Sequence, residues 1–443
     1  MVSEWWLSWR KRLKRYLKLC ILSALVIAAG GFGGCAEEAA EIETTVKNPY
    51  AGAVSMEETP VVDYVVPKLS PNVLIDRQGY SIDGGKTAAV RGKSLPGEFR
   101  LVDAVTGEAV LTGLVTEIVY HAEQGLYSGV VDFSDYSTAG DYYLECDTLG
   151  RSYDFTLQKE HYQTLFTETY EGMMEDCQQR TAEISDVIML LETYEWYPSL
   201  FPDADRDDMP DVLKEIRGWV AYMEENGVEA EEEALYAALL AKFGYLYQKF
   251  DHDYATDSLK RASTVLGQTQ TTISRDADSF YALTELYRAT GRYTYRNQIV
   301  DYKSFFEDNS SYLEEPCYLF GIMTYMATRQ KVDVELCGKF MNRLMERAEE
   351  ISGRYTEMLH PVTARNNGST ELLERAVELS CANYVMNNYQ YTGIEENFLH
   401  YLMGQNPDSI NFYENGEDRA RYLLLLAQLA ENDAKANRKE YIV

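Results

Sequence analysis

The chain has 443 residues, 46% hydrophobic and 25% charged, enough to bury the core of one large domain or two. Asp+Glu 71 against Lys+Arg 41 gives a net charge of −30. That balance excludes a nucleic-acid backbone or an anionic membrane surface as an electrostatic partner and leaves neutral polymers and cations.

At the N-terminus, Arg10, Lys11, Arg12, Lys14, Arg15 and Lys18 precede an apolar run over 20–32 that ends in Gly33-Gly34-Cys35. Charge, length and the small-residue ending predict an export signal over 1–35, too short for a comfortable membrane span. Small residues before a cysteine resemble the bacterial lipoprotein processing site, with Phe32 where leucine is usual. Cys35 is therefore expected to carry a lipid anchor on the outer face of the cell membrane, with a secreted or signal-anchored protein as the alternative. Without residues 1–34 the chain loses six basic residues and Glu4, so the exported part carries 35 − 70 = −35. Cys146, Cys177, Cys317, Cys337 and Cys381 then remain, at spacings that make neither a disulfide framework nor a zinc pattern.

Residues 36–71 are acidic, rich in Ala, Thr and Pro and without period, and predict a flexible tether. Over 72–158 the pattern changes to short alternating segments at 73–75, 87–90, 99–102, 109–111, 127–131, 141–145 and 153–157. Asp83-Gly84-Gly85, Thr106-Gly107, Ala139-Gly140 and Leu149-Gly150 supply turns between them. So many short strands in so few residues predict a β-sandwich.

From 159 to 443 the pattern is helical. A first helix over 161–178 runs through QQRTAE into a second, where Ile184, Val187, Ile188 and Leu191 recur at helical spacing until Pro198 stops them. A third restarts at Met209-Pro210, with Val212, Leu213, Ile216, Trp219 and Val220 on one face. Between these two helices, Asp203, Asp205, Asp207 and Asp211 stand at relative positions 1, 3, 5 and 9, the ladder of oxygen ligands that a looping chain offers to calcium. Asp208 at the sixth position and Lys214 at the twelfth rule out an EF-hand. A shorter structural Ca2+ site, or an acidic turn in front of the next helix, is expected. Farther on, ELYRATGRYTYRNQI (285–299) and NNYQYTGIEENFLHYL (387–402) look alike, and YLYQKFDHDYATDSLKRA (245–262) has the same shape without the glycine. Helical hairpins of this kind bury their faces by stacking into an α/α toroid or an array; about eleven helices are read, against about twelve for a complete six-hairpin barrel.

DRQGY (76–80), FRLVDAVTGEAVLTG (99–113), DFSDYSTAGDYYLE (132–145) and GRSYDFTL (150–157) together resemble the immunoglobulin-like domain that precedes the catalytic domain in glycoside hydrolase family 9 cellulases. DSFYALTELYRATG (278–291) and FLHYLMGQNP (398–407) are similar to barrel segments of that family, the second to its YLLGRNP signature. The fold class expected is thus multidomain: an N-terminal immunoglobulin-like β-sandwich followed by an all-α, incomplete six-hairpin α/α barrel.

The resemblance implies inverting hydrolysis of a β-1,4-glucan-type polysaccharide, which needs a basic carboxylate and a separate carboxylic acid about 6.5 to 9.5 Å apart. In the family the base lies in a DAGDYGK-like loop between the first two barrel helices; this chain has no Asp-Ala-Gly-Asp and no room for that loop. The acid lies in a NEVAI-like segment before the last helix. Here Asn415 and Glu417 are a remnant of that position or, on the plainer reading, Glu417 is a charge favouring a helix N-terminus. His360 and Arg365 stand in a loop expected to face substrate, with His360 before proline equally readable as a turn residue, and Tyr384 is expected near it, while Trp196 and Trp219 lie at core spacing. The expectation is a degenerate relative that binds a polysaccharide or oligosaccharide, with an active but unconventional glycosidase and a helical scaffold for protein partners as alternatives.

Overall fold

A computed structural model describes residues 72–269, 276–363 and 368–440. The expected signal, the lipid anchor at Cys35, the tether and Arg365 lie outside these residues.

The strands, in chain order, are β1 (Val73–Leu74), β2 (Tyr80–Ser81), β3 (Thr87–Gly92), β4 (Glu98–Asp103), β5 (Ala109–His121), β6 (Leu126–Asp132), β7 (Gly140–Cys146), β8 (Gly150–Arg151) and β9 (Phe155–Gln158). One layer runs β1-β3-β6-β5 and the other β5-β4-β7-β9-β2, with β8 on β7. All pairs are antiparallel except β2 with β9. β5 belongs to both layers: Leu114 pairs with Glu98 of β4, and the next residue, Val115, pairs with Val131 of β6. The expected strand over 109–111 is therefore ten residues too short. Gly113 lies within this strand, and the Phe99 ring occupies the place of its missing Cβ, which excludes a side chain there. Between the layers Tyr80, Phe99, Leu101, Phe133, Leu144 and Phe155 form the core, as the alternation predicts.

The helices follow as α1 (His161–Gln179), α2 (Ile184–Trp196), α3 (Asp211–Asn226), α4 (Glu233–Tyr247), α5 (His252–Thr269), α6 (Ala277–Thr290), α7 (Tyr293–Asp301), α8 (Lys303–Asp308), α9 (Pro316–Ala327), α10 (Val334–Met358), α11 (Gly368–Met386), α12 (Tyr389–Leu402) and α13 (Arg419–Glu440). Burial separates two sets. α3 buries one stripe, Val212, Leu213, Ile216, Trp219 and Val220, whereas α6 buries every residue from Ser279 to Arg288 and α9 every residue from Tyr318 to Tyr325. A helix buried all round belongs to the inside of a ring; a one-striped helix lies outside it.

Outer and inner helices alternate along the chain as α1/α2, α3/α4, α5/α6, α7 and α8 with α9, α10/α11 and α12/α13, six pairs among the described residues, and α5, α7 and α12 pack on the inner helix before them while α1 packs on α13. The inner helices pack α2 on α4, α4 on α6, α6 on α9, and α11 on α13 on α2. Between α9 and α11 the gap is bridged from across the ring by Trp196, which touches Phe320 of α9 and Tyr384 of α11. Thirteen helices are described against about eleven expected, and one of the two extra comes from the fourth outer arm, which is split into two short helices.

Local chemistry explains several boundaries. Asp276 accepts from the Ser279 amide at the start of α6, and Gly291, left-handed at φ 67°, ends that helix. The likeness expected between the 285–299 and 387–402 turns does not extend to the glycine: Gly393 lies inside α12. There the turn is made by Asn387, left-handed at φ 54°, and Asn388, which accepts from the Gln390 amide. Pro210 precedes α3 at the capping position.

Candidate functional site

Connections that lead from an outer to an inner helix all lie at one end of the ring, where inner helices begin and their dipoles are positive. This is the end at which a substrate-facing surface is expected. The connection from α1 to α2 is only Arg180 to Glu183, and Arg180, left-handed at φ 62°, turns the chain at once. Its guanidinium reaches Glu215 of α3 at 2.8 Å.

Two acids in the first turns at this end have raised pKa values: Asp186 of α2 and Asp278 of α6, each pushed up mainly by burial. Neither was singled out in sequence, because nothing local to them forecasts their surroundings. Glu417 is exposed, two residues before α13, and the adjacent Asp418 makes the contacts there: its side chain accepts from Thr370 Oγ1 at 3.0 Å and pairs with Arg421.

His360 is half-buried. Its Nδ1 accepts from the amides of Val362 and Thr363 at 3.1 and 2.9 Å, and its ring stands edge-on to His121 of β5, with centroids 4.4 Å apart. Tyr384 is 7% exposed and stacked on Trp196. Trp196 and Trp219 are both buried, in keeping with their core spacing.

Inside the ring, five charged side chains meet. Lys242 Nζ lies 2.6 Å from Glu192 and 2.6 Å from Glu195, and Arg288 lies 2.5 Å from Glu195 and pairs with Glu285. Tyr281 donates to Glu192 at 2.5 Å, and Thr324 donates to Glu285 at 2.8 Å. Three carboxylates against two cations leave one negative charge in excess. Burial pushes Glu192 up to about 7 despite Lys242, whereas for Glu195 burial is outweighed by Arg288 and Lys242, which hold it at about 2. All five lie on the inner helices α2, α4 and α6, and the packing brings them together.

At the other end of the ring, the aspartate loop brings ligand atoms of Asp203, Asp205 and Asp211 within 4.8 Å of one another. Lys214 Nζ stands among them, 2.5 Å from Asp205, 2.9 Å from Asp207, 3.3 Å from Asp211 and 3.9 Å from Asp203. Asp203 also accepts from the amides of Asp207 and Asp208, and Asp211 from that of Ala204. The donor set is one that suits a hard cation, and the ammonium of Lys214 already supplies one positive charge to it.

Sandwich and barrel meet through two of the quoted motifs, DRQGY and FLHYLMGQNP. Asp76 Oδ2 lies 2.8 Å from His400 Nδ1, and the Arg77 amide donates to the Met403 carbonyl at 2.9 Å. A Cβ at Gly404 would collide with the Arg77 side chain and the Ile75 carbonyl, which explains glycine at that position of the motif.

Residues 68–151 match the family model described as the cellulase N-terminal ig-like domain. No curated protein matches the chain in sequence. Among solved structures, a metagenome-derived glycoside hydrolase family 9 endoglucanase has a TM-score of 0.65 at 17% identity, over 77% of this chain and 84% of its own. A Bacteroides ovatus GH9 structure has 0.63 at 14%, over 82% and 99%. AaCel9A, in complex with cellobiose-like isofagomine, has 0.60 at 17%, over 77% and 84%. The chain thus has the fold of family 9 endoglucanases, an immunoglobulin-like sandwich followed by an α/α barrel.

Proposed function

We propose that the exported protein binds a β-1,4-glucan-type polysaccharide or oligosaccharide, held at the outer face of the cell membrane through Cys35, and is a pseudoenzyme without the inverting base. The observation that carries this reading is the α1–α2 connection. It spans Arg180 to Glu183 and holds no pair of aspartates where relatives of this fold are expected to place the water-activating carboxylate. Loss of a positioned base alone forfeits on the order of 10² to 10⁴ in rate. His360 and Arg365 belong to the glycan face on this reading, and Glu417 to the former acid position. Ca2+ at the aspartate loop is part of the proposal as a structural ion, held by Asp203, Asp205, Asp207 and Asp211 after displacing the Lys214 ammonium.

A second reading, an unconventional glycosidase, is favoured by Asp186 and Asp278, since a raised carboxyl pKa is what a general acid needs. Incubation with carboxymethylcellulose and short cello-oligosaccharides decides between the two. Binding without release of reducing ends supports the pseudoenzyme. Release abolished by Glu417→Gln, Asp186→Asn or Asp278→Asn overturns it. Neither binding nor cleavage favours a scaffold for protein partners.

A further inference from the structure

His400 lies on α12 and is buried to 1% exposure. Its Nε2 faces the Gly85 carbonyl at 3.1 Å, and its Nδ1 faces Asp76 Oδ2 at 2.8 Å. A carbonyl only accepts, so Nε2 carries a hydrogen. The Nδ1 contact then needs a second proton, held between imidazole and carboxylate. Without it two lone pairs would face each other at 2.8 Å inside a buried joint. The other oxygen of Asp76 is taken by the Gln78 amide at 2.8 Å, so the carboxylate cannot turn away without losing that bond.

We propose that this shared proton is a latch between sandwich and barrel: the two domains are held together while the His400–Asp76 pair keeps it, and the joint loosens when rising pH removes it.

The surroundings favour the protonated pair. From the barrel, Glu396 lies one turn before His400, accepts from the Gly85 amide at 3.2 Å and from Tyr162 Oη at 3.2 Å, and attracts an imidazolium. His161 of α1 accepts from Gln158 and is kept neutral, pushed down to about 3 by burial, so it adds no repulsion. Asp433 of α13 reaches Ser81 of the sandwich at 3.4 Å. From the sandwich, the Tyr80 ring packs on the imidazole at 4.7 Å. The Lys86 ammonium donates to the Ile82 and Gly84 carbonyls, and its nearest counter-charges are Glu396 first and then Asp83, so it shares Glu396 with the imidazole.

Burial alone would lower the His400 pKa, but the hydrogen bond and charge of Asp76 more than offset it and raise the value above the ordinary 6.5. A raised histidine pKa contributes stability that is full below 6.5 and lost as pH rises through the folded value. The loosening therefore occurs on the alkaline side.

Hydrogen exchange of the full chain reads the joint through the amides of Arg77 and Gly85, which bond across it. After correction for intrinsic rate, protection at both is expected to fall with pH, by at most about tenfold per pH unit for one linked proton. Asp76→Asn is the informative variant. Its side-chain amide donates to Nδ1 of a neutral His400 while its oxygen keeps the Gln78 bond, so the fall in protection above about pH 7, where Asp433 is already ionised, is expected to disappear. Protection that is constant with pH in the wild type, or that falls in parallel in the variant, overturns the latch. Where the variant does not fold, nitrogen shifts of His400 in the wild type decide. Both ring nitrogens protonated below the transition support the latch, and Nε2 alone protonated throughout overturns it.

Discussion

Trp196 lies nearly flat on Tyr384, with ring centroids 4.7 Å apart and planes 14° from parallel. The pair joins α2 to α11 across the ring, next to the place where α9 and α11 are held apart, and Tyr197 adds an edge-on contact to the same tyrosine. Truncating such a buried aromatic removes its area and leaves a cavity, which costs about 3–5 kcal/mol. Tyr384→Ala is expected to lower the urea midpoint accordingly. Unchanged stability with lost affinity for cello-oligosaccharide would instead assign Tyr384 to a glycan face.

The ionic cluster inside the ring makes a different prediction. Lys242→Met takes away the ammonium between Glu192 and Glu195 and leaves buried carboxylates facing each other, a change that costs roughly 3–5 kcal/mol. Denaturant unfolding followed by the fluorescence of Trp196 and Trp219 measures it. Adding Glu192→Leu to Lys242→Met is expected to restore much of the loss, because the pair is then replaced by apolar packing.

Glu192 also sets a pH slope. Its carboxyl titrates near 4.5 in the unfolded chain and at about 7 in the fold, so between these values the folded state holds more protons and stability falls as pH rises. Asp433, raised to about 7 by burial, acts in the same direction, so the observable is the difference between wild type and Glu192→Gln. The variant is expected to have the flatter Tm profile from pH 4.5 to 7. Glu195 works oppositely, with its stabilisation present above 4.5 and lost as pH falls toward 2.

At the aspartate loop, the proposed calcium would compete with Lys214 for one group of carboxylates. Millimolar Ca2+ is expected to raise the Tm of the wild type, and to raise that of Lys214→Met further, since no ammonium then has to leave. A Tm unmoved by calcium in both proteins removes the ion from the proposal.

Much of this architecture was open to reading from the chain alone. Period-2 alternation from Val73 to Leu157, period-3.6 stripes such as Val212 to Val220, the proline stop after Trp196 and the glycine stop at Gly291 are all local consequences of backbone geometry. So is the missing room between Gln179 and Ile184, which depends only on counting residues. Where a residue has two local meanings, tertiary contact chose between them. Gly113 continues a strand with the Phe99 ring in place of its Cβ, Gly393 lies in a helix while two asparagines make the turn before it, and Lys214 lies among the aspartates. The partners of His400, Lys242 and Tyr384 are the clearest case. His400 and Asp76 are 324 residues apart in the chain, and burial, charge compensation and a shared proton exist only once sandwich and barrel are in contact. Sequence sets what each side chain can donate, accept or bury; the fold decides which groups are left to do it together.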